Sequence, residues 1–399
     1  MRSRPVRLSR VMRGGRRVSS RVCIVGVGQT RHRGPGGDLA YYEIAFEAAK
    51  IALEDAGLTR GDIDTVLASG WDVLDGRTIS DMYLVPAAGG YLKDSAKVAD
   101  DGILAFAYAY MRIASGAFDT ALVMGHGHAE GPTELVSNVT MDPFFYRPLG
   151  MSVTTALALQ ASSFAARFRI SEAQAAAVAE KNRRQGSNNP YAHLQSAITR
   201  DQVLASKTVA WPLHELDCPP ESVGAVALIL CSEERAKRIA SRWATVEGIG
   251  WATSSYYIGA TDLWRLDALA GAARQAYVMA GIDDPLAELD VAEVHDVTSY
   301  HELMAYEGMG WAREGRGAQL LEEGATLMGG RLPVNPSGGA LSTDIGAGTG
   351  LLRVAEAALQ VTGRADGRQV EARTALAHGM SGLAGSIGQT HGVVILRGR

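Results

Sequence analysis

The 399-residue chain is long enough for two domains or one large duplicated α/β body. Its composition, 47% hydrophobic and 21% charged with 46 glycines, is that of a well-packed soluble protein rich in tight turns. No apolar run approaches the roughly 18 residues of a membrane span, which argues against a transmembrane protein.

The net charge of -4 conceals an uneven distribution. Residues 1–21 contain eight arginines and no acidic residue, so the rest of the chain holds 31 basic against 43 acidic residues, a charge of about -12. An acidic body argues against nucleic acid as a partner. The basic leader, residues 1–20, lacks the apolar core of a secretory signal. We therefore expect a disordered extension or an over-assigned start codon there, rather than a nucleic-acid arm or a targeting segment.

Three cysteines cannot form an even set of disulfides, and no CxxC pair exists, so a reducing cytoplasm is expected. Cys23 and Cys231 lie inside apolar strand-like runs, where a thiol usually fills the core. Cys218 stands beside two prolines in a predicted turn. None of the three has the surroundings of an activated nucleophile.

The first elements alternate between strand and helix. Residues 21–30 form a buried strand, residues 38–58 have apolar residues at helical spacing with a glycine stop, and residues 62–70 form the next strand. Residues 100–127 predict a helix, a short turn and a strand that ends in glycine and histidine. Residues 131–210 are irregular and polar apart from one helical piece, SEAQAAAVAEKNRRQG, which indicates an inserted loop domain.

The second half of the chain repeats the first. AAKIALEDAGLT (48–59) aligns without gaps with AARQAYVMAGID (272–283), and a strand follows each. GTGLLRVAEAALQVTG and ARTALAHGMSG then match the later helix–strand unit of the first half. Duplicated strand–helix alternation predicts an α/β fold with parallel sheets covered by helices. The first half spans 21–130 and is completed by 211–235, and the second half spans 236–399.

A glycine-rich stretch, NPSGGALSTDIGAGTG (335–350), opens a predicted helix. Such turns often bind anions, because backbone N–H groups point outward and the helix dipole favours negative charge. A P-loop would need a Gly-Lys-Ser/Thr ending, and this stretch has no lysine. A dinucleotide fingerprint would follow the first strand of a βαβ unit rather than stand near the end of the chain.

Three stretches resemble the thiolase superfamily, specifically its sterol carrier protein-type branch. KNRRQGSNNPYAHLQ (181–195) resembles the loop-domain signature, EVHDVTSYHELMAYEGMG (293–310) resembles the HDCF motif with its following helix, and NPSGGALST (335–343) resembles the NPSGG stretch. The resemblance covers roughly residues 21–399. It implies a thiolase-like duplicated α-β-α-β-α layered fold with an inserted loop domain.

The chain departs from this family at the catalytic cysteines. The resemblance places the nucleophilic cysteine just before the first half's buried helix, where this sequence has Ala99 or Asp100. DIGAG (344–348) stands where the histidine of the Gly-His-Pro motif is expected, and AHGMSG (377–382) occupies the region of the second cysteine. Of the usual catalytic set, only the HDCF histidine remains, as His295. Without a thiolate there is no acyl-enzyme.

The resemblance and the residues together suggest catalytic roles. A neutral His295 could donate a hydrogen bond to a thioester oxygen and stabilise an enolate. Asp100 and Asp101 are either helix caps or, for one of them, a proton-transfer group. Asp344 is either a cap or a general base. His378 is a further candidate donor to substrate.

Asp296 is expected to orient or cap rather than to react. His126 and His128 do not have the spacing or neighbourhood of a metal site, and no metal is predicted.

Further residues could contact substrate. Tyr300 faces either the cleft or the core. The loop-domain cations lie on a solvated helix face or bind coenzyme A phosphates. The predicted substrate-binding residues are Asp101, Gly102, Tyr300, Ser337, Gly338, Gly339, Thr343, Lys181, Arg183 and Arg184.

Three functions remain open at this stage. The first is a carbon–carbon lyase that cleaves a β-hydroxyacyl-CoA by a retro-aldol reaction, as in the cysteine-less steroid side-chain aldolases and lipid-transfer proteins that the chain resembles. The second is a thiolytic acyl-CoA acyltransferase, and the third is a non-catalytic acyl-CoA-binding subunit. The expected ligand is a coenzyme A thioester as substrate, with no permanently bound cofactor. The resemblance also implies a homodimer and a small OB-fold, zinc-ribbon partner protein.

Overall fold

The computed structural model describes residues 21–127, 138, 141–255, 257–381 and 390–399. The predicted leader (1–20) lies outside the described residues. The first half alternates strands and helices as follows: β1 Val22–Gln29, α1 Tyr41–Asp55, β2 Thr65–Ser69, α2 Asp81–Ala87, β3 Asp94–Val98, α3 Gly102–Ala114 and β4 Thr120–Gly127.

The segment after β4 is more helical than the sequence predicts. Its elements are α4 Val153–Phe168, α5 Glu172–Gly186, α6 Arg200–Ala205, β5 Thr208–Ala210 and β6 Leu213–His214. The predicted helical piece is α5, but α4 was missed. Polar and β-branched residues at the start of α4 obscured the buried face that Ala161 and Phe164 form. The side chain of Ser152 caps this helix through the amide of Thr155.

The chain then completes the first half and builds the second. The completing elements are β7 Gly224–Ser232 and α7 Glu233–Ile239. The second half consists of β8 Ala244–Thr253, α8 Asp267–Ala280, α9 Pro285–Glu288, β9 Val291–Glu293, α10 Ser299–Gly308, α11 Gly317–Glu322, α12 Gly339–Ser342, α13 Thr349–Val361, β10 Thr374–Met380 and β11 Thr390–Gly398.

Within the described residues, nine strands form a continuous mixed sheet in the order β3-β2-β4-β7-β1-β8-β11-β10-β9. The end strands are parallel, β3 and β4 to β2 and β9 to β10, whereas the strands between β4 and β10 pair antiparallel. The prediction of purely parallel sheets is therefore wrong. A strand that is buried on both faces reads as a continuous apolar run in either direction, so its sequence does not reveal the sense of pairing.

Three hydrophobic cores give the molecule five layers. Alternate residues of β7 separate two of these cores: Val226 and Leu228 face the buried helices α3 and α13, whereas Ala227 and Ile229 face α1. The third core lies under α8 and α10 and includes residues of the loop-domain helices α4 and α5. The central helices α3 and α13 share one core with strands from both parts of the continuous sheet, so this sheet supplies two layers. The layers therefore run helix, sheet, helix, sheet, helix, which confirms the predicted fold class. Among the described helices, none has both the length and the apolar character to cross a membrane.

A buried ion pair joins the central helix α13 to the loop that follows it. Arg368 donates to both carboxylate oxygens of Glu356, at 2.7 and 3.0 Å, and both side chains are buried. Gln29 of β1 donates to the same carboxylate at 2.9 Å. Removing one partner of such a pair leaves an uncompensated charge in the interior.

Arg368→Ala should therefore lower the free energy of unfolding by about 3–5 kcal/mol, because Glu356 would stay buried without its cation. Arg238→Ala is the matched control, since Arg238 pairs with Glu234 on an exposed helix face and should cost less than about 1 kcal/mol. Urea unfolding of both variants measures the difference. Equal losses would contradict the assignment of Arg368 as the cation that the core requires.

Candidate active site

The carboxylate of Asp101 lies where the two halves of the molecule meet. One oxygen accepts a hydrogen bond from the amide of Ile103, in the first turn of α3, at 2.9 Å. The other accepts from the amide of Gly350, in the first turn of α13, at 2.9 Å. A side chain at Gly350 would collide with this carboxylate. Asp101 thus caps α3, as predicted, and it also binds the start of the matching helix in the second half.

The N-termini of α3 and α13 converge on this point. An added Cβ at Gly102 would lie 2.6 Å from the Cβ of Leu351, so only glycine permits the approach of the two helices. Both helix dipoles direct their positive ends toward the same region. Gly102 was predicted to contact substrate, and its lack of a side chain is required by the packing of the two helices.

Two acidic residues precede α3, and burial affects both. Burial raises the pKa of Asp101 well above its usual range, although its two backbone hydrogen bonds act in the opposite direction. Burial also raises the pKa of Asp100, whose Oδ1 accepts from the amide of Asp101 at 2.7 Å. Ala99, one of the two positions at which a thiolase cysteine is expected, is exposed, and Asp100 is the other. The start of α3 thus presents carboxyl groups that can hold a proton, and neither of these two positions carries a thiol.

His295 follows β9 and lies against the same junction. Its Nδ1 accepts a hydrogen bond from the amide of Met380 at 3.2 Å and lies 3.8 Å from Oδ2 of Asp101. In the neutral ring Nε2 therefore carries the proton, and it has no partner among the described residues. Burial lowers the pKa of His295 to about 3, and the charge of Arg353 contributes in the same direction. His295 is thus a neutral N–H donor.

The imidazole of His378, in β10, accepts a hydrogen bond from the backbone of His295. It therefore supports His295 and is not a separate donor in the cleft. Its Nδ1 accepts from the amide of His295 at 3.4 Å, and its Nε2 lies 2.9 Å from Nδ1 of His391. The two rings stack with centroids 5.2 Å apart. Burial lowers the pKa of His378 well below its usual range, and His391 and His295 add to this effect. All these contacts fit neutral imidazoles.

His391 was missed in the sequence. It lies at the start of β11, opposite Met380 in the strand pairing. The only signal was a histidine at the beginning of the last strand, which becomes informative once the pairing of β10 with β11 is known. The residues between these strands, 382–389, lie outside the described residues.

The two carboxylate oxygens of Asp344 differ, because one makes capping contacts and the other is left to accept a further hydrogen bond. Oδ1 accepts from the amide of Gly346 at 2.8 Å and from the hydroxyl of Thr349 at 2.7 Å, which fixes the turn into α13. Oδ2 has no hydrogen-bond partner among the described residues. Burial raises the pKa of Asp344, so its carboxyl group can take up a proton closer to neutral pH than a solvated aspartate.

The NPSGG turn is held by buried carboxylates. Ser337 donates from its hydroxyl to Glu293 at 2.6 Å. Gly338 has φ of +97°, and an added Cβ would lie 2.5 Å from the Cα of Gly186 in α5. Asp296 accepts from the amide of Ala340 at 2.5 Å, which confirms its predicted capping role. Much of the glycine content in this turn is thus required by packing against the loop domain.

The other residues of this segment also make protein contacts. Gly339 has φ of +65° and lies directly against the carboxylate of Asp296. Thr343 accepts a hydrogen bond on its hydroxyl from the amide of His193 at 2.9 Å. Both are buried. They position the segment that leads to Asp344.

Two of the three loop-domain cations do not lie on a solvated face. Lys181 is 3% exposed, donates to the carbonyl of Val334 at 2.9 Å and pairs with Glu302 at 2.8 Å. Arg183 is 6% exposed and donates to the carbonyl of Ser196 at 3.1 Å. The prediction that these side chains lie on a solvated helix face is wrong for both, because α5 packs against the NPSGG turn. Arg184 is exposed and pairs with Glu180 of the preceding turn.

Tyr300 lies in the core rather than in the cleft. Its side chain is 1% exposed and belongs to the hydrophobic core beneath α10. Burial raises the pKa of its hydroxyl. Of the two positions that the sequence allowed for this residue, the structure has the buried one.

His126, at the end of β4, pairs with a carboxylate. Its Nε2 lies 2.8 Å from Oδ1 of Asp75, and both side chains are buried. His128 lies outside the described residues. Within the described ranges, no group of three or more histidine, cysteine, aspartate or glutamate side chains could hold a metal ion.

Known proteins resemble this chain over most of its length. Residues 250–397 match the family described as thiolase C-terminal domain-like. The acetyl-CoA acetyltransferase of Methanothermobacter thermautotrophicus is 31% identical over 378 residues, 92% of this chain and 97% of that protein. Sterol carrier protein 2 of Oryctolagus cuniculus is 35% identical over 215 residues, 52% of this chain and 39% of that protein. The solved structure of an Ltp2-ChsH2(DUF35) aldolase superposes with a TM-score of 0.82 at 22% identity, covering 95% of this chain and 98% of that chain.

The chain belongs to the thiolase superfamily, in its sterol carrier protein-type branch. This confirms the family that the three sequence motifs suggested. The likeness to the solved aldolase supports the fold alone, because the identity is low.

The three thiols are remote from the junction of α3 and α13. Cys23 in β1 lies opposite Cys231 in β7 in the strand register, and both thiols are free. Cys218 follows a short turn. Burial raises the pKa of Cys23 to about 11 and the pKa of Cys218 and Cys231 to about 12. Since the thiolate is the reactive form, none of them has the properties of a nucleophile.

Iodoacetamide at neutral pH should therefore alkylate the native protein slowly at all three positions, and alkylation should not be rapid at any single cysteine. Mass spectrometry of the intact protein over time measures this, with the urea-unfolded protein as the fast-reacting control. A single cysteine that reacts within minutes, and that an acyl-CoA protects, would contradict the absence of a catalytic thiol.

Proposed function

We propose that the protein is a carbon–carbon lyase that cleaves a β-hydroxyacyl-CoA, with a steroid or lipid side chain as the acyl group, by a retro-aldol reaction. One observation carries the proposal. The junction of the two buried helices combines carboxyl groups of raised pKa with a neutral histidine donor, and neither Ala99 nor Asp100, the two positions expected for the thiolase nucleophile, is a cysteine. These groups suit proton transfer and enolate stabilisation, and they do not provide a covalent nucleophile.

The reaction needs a base and an oxyanion donor. A carboxylate takes the proton of the β-hydroxyl group, and the bond between the α and β carbons breaks. The β carbon becomes a carbonyl group, and the electron pair moves onto the thioester as an enolate. A donor must then stabilise the enolate oxygen until the α carbon is protonated. The products are a carbonyl compound and a shortened acyl-CoA.

Different side chains of this protein act as the base and as the oxyanion donor. Nε2–H of His295 is the donor, because Nδ1 is occupied by the amide of Met380. Asp344 and Asp100 are the candidate bases, since each has a raised pKa and one carboxylate oxygen without a hydrogen-bond partner in the described part of the chain. His378 positions His295 through its backbone amide.

An acyltransferase is the main alternative. It is supported by the name of the 31% identical relative, an acetyl-CoA acetyltransferase. It is opposed by the positions and raised pKa values of the three cysteines, since thiolytic transfer requires an acyl-enzyme. A non-catalytic acyl-CoA-binding subunit is the third possibility. Detection of bound acyl-CoA without turnover would distinguish it from either enzyme.

His295→Ala should lower turnover by about 10²–10³, because a preorganised donor acts on the enolate that forms in the transition state. Binding of acyl-CoA should change little, since the same donor contributes less to the ground state. His295→Gln is the matched control, because the amide retains an N–H donor and should lose less activity than alanine. Steady-state kinetics with a β-hydroxyacyl-CoA and calorimetric binding measure both effects. Full turnover in His295→Ala would remove the enolate donor from this proposal.

Asp344→Asn separates the base from the cap. The asparagine oxygen can still accept from Gly346 and Thr349, so stability should fall by about 1 kcal/mol or less. Turnover should be abolished, because the amide cannot accept the hydroxyl proton. Thermal unfolding and turnover are measured on the same preparation. A stable and active Asp344→Asn protein would leave Asp344 as a cap only.

We further propose a homodimer and a protein partner. Among the described strands, β3 pairs only with β2 and forms one edge of the sheet. Tyr91 and Leu92 just before it, and Tyr108 on α3, are exposed apolar side chains. An open edge beside apolar surface suits pairing with a second copy.

The similar solved structure is an Ltp2-ChsH2(DUF35) aldolase, whose name includes a second component, and this supports a partner protein here. We propose that the partner is the small OB-fold, zinc-ribbon protein that the family resemblance implies. The three free thiols suit a cytoplasmic location.

At micromolar concentration the protein should have twice the mass of one chain. Tyr91→Asp should reduce this to the single-chain mass, because it places a charge in the proposed interface. Val278→Asp is the matched control, since Val278 is 78% exposed on the outer helix α8 and Tyr91 is 77% exposed. Light scattering coupled to size exclusion measures the masses. A wild-type monomer would contradict the homodimer.

A further inference from the structure

A cavity of about 380 Å³ lies between the loop that follows β1 and the segment that follows α5. Its walls are fixed by the backbone, since the amide of His32 donates to the carbonyl of Tyr191 at 3.0 Å and Arg33 exchanges two hydrogen bonds with Val223. We call it the arginine pocket. Its lining residues are Arg31, His32, Arg33, Gly34, Ala192 and His193.

The arginine pocket holds positive charge without a counter-charge. Arg31 and Arg33 are exposed, and neither forms an ion pair with a carboxylate in the described part of the chain. Arg183 lies behind His193 and lowers the pKa of that imidazole, after the larger effect of burial. Its guanidinium donates to the carbonyl and hydroxyl of Ser196 rather than to an acid. Cations that converge on a concave wall attract anions.

His32 forms part of the wall of the pocket. It is 3% exposed, and neither of its ring nitrogens has a hydrogen-bond partner among the described residues. Gly224 leaves room for the ring, because any side chain there would collide with Nδ1. Because both nitrogens are buried away from solvent, the ring shapes the pocket and does not itself donate to a ligand within it.

We propose that the arginine pocket binds a phosphoryl group, held by the guanidinium groups of Arg31 and Arg33. A phosphoryl group offers several oxygens and up to two negative charges, and guanidinium groups bind such oxygens in pairs. The cavity is larger than one phosphate and lies within the range of small-ligand sites, so it accommodates a diphosphate or a nucleotide fragment.

The pocket is connected to the candidate active site through one residue. Ser222 lies 3.0 Å from Nδ1 of His193 through its hydroxyl, and its amide donates to the carbonyl of Asp344 at 2.9 Å. The wall of the pocket is therefore hydrogen-bonded to the backbone of a candidate base. We assign the phosphoryl group to the coenzyme A portion of the substrate, and this assignment rests on the proposed function. A free phosphorylated effector would supply the same chemical group.

Calorimetric titration of the full chain at fixed ionic strength tests the site with three probes: pyrophosphate, coenzyme A and pantetheine. Arg31→Gln and Arg33→Gln should each weaken pyrophosphate and coenzyme A binding by about tenfold, and should leave pantetheine binding unchanged. Arg274→Gln is the matched control, since it removes the same charge from an exposed position on α8 and should change none of the three affinities.

Competition identifies the source. Pyrophosphate that displaces coenzyme A supports the substrate as the source, whereas pyrophosphate that binds without displacing it supports the pocket but overturns that source. The pocket itself is overturned if the two arginine variants bind pyrophosphate and coenzyme A as the wild type does. Because pyrophosphate binding does not depend on turnover, a protein that binds it but cleaves no β-hydroxyacyl-CoA would refute the lyase proposal alone.

Discussion

One buried carboxylate, that of Asp101, forms hydrogen bonds to both halves of this molecule. Asp101 accepts a hydrogen bond from the first turn of α3 with one oxygen and from the first turn of α13 with the other. The carboxylate leaves no space for a side chain on the neighbouring backbone at two positions, and both of these positions, 350 and 379, are glycines. His295 lies 3.8 Å from the same group, and Asp344 begins the turn into the second of these helices. The geometry of the candidate site therefore depends on the position of Asp101.

Apart from His295, the family motifs support the site from behind rather than lining it. Asn182 of α5 donates to both Asp296 and Glu302 at 2.6 Å, and Asn335 donates to Glu302 at 2.8 Å. Burial raises the pKa of Asp296 to about 8, and the neighbouring Glu302 contributes to this effect. Each of these polar groups finds its partner on a different motif, so the three stretches that identify the family form one internal network. That network fixes the turn from which Asp344 extends.

The sequence predicts the layers better than it predicts the site. Apolar runs and the repeat between residues 48–59 and 272–283 suffice for the five-layer α/β fold, because each buried element carries its own pattern. The direction of strand pairing and the burial of Lys181 depend on which elements meet, and no local pattern records that. His391 was missed for the same reason. The pairing of β10 with β11 brings it to His378, 13 residues away in the sequence.

The histidines at this junction have a consequence for how the protein responds to acidity. Burial lowers the pKa of His295 and His301 to about 3, and that of His378 well below its usual range, so these rings carry no charge across the physiological interval. The carboxyl groups of Asp100 and Asp344 shift the opposite way, toward neutrality. An inflection in a rate profile near neutral pH, which is ordinarily attributed to imidazole, would here have to come from groups other than these three rings, and the buried carboxyl groups are the candidates.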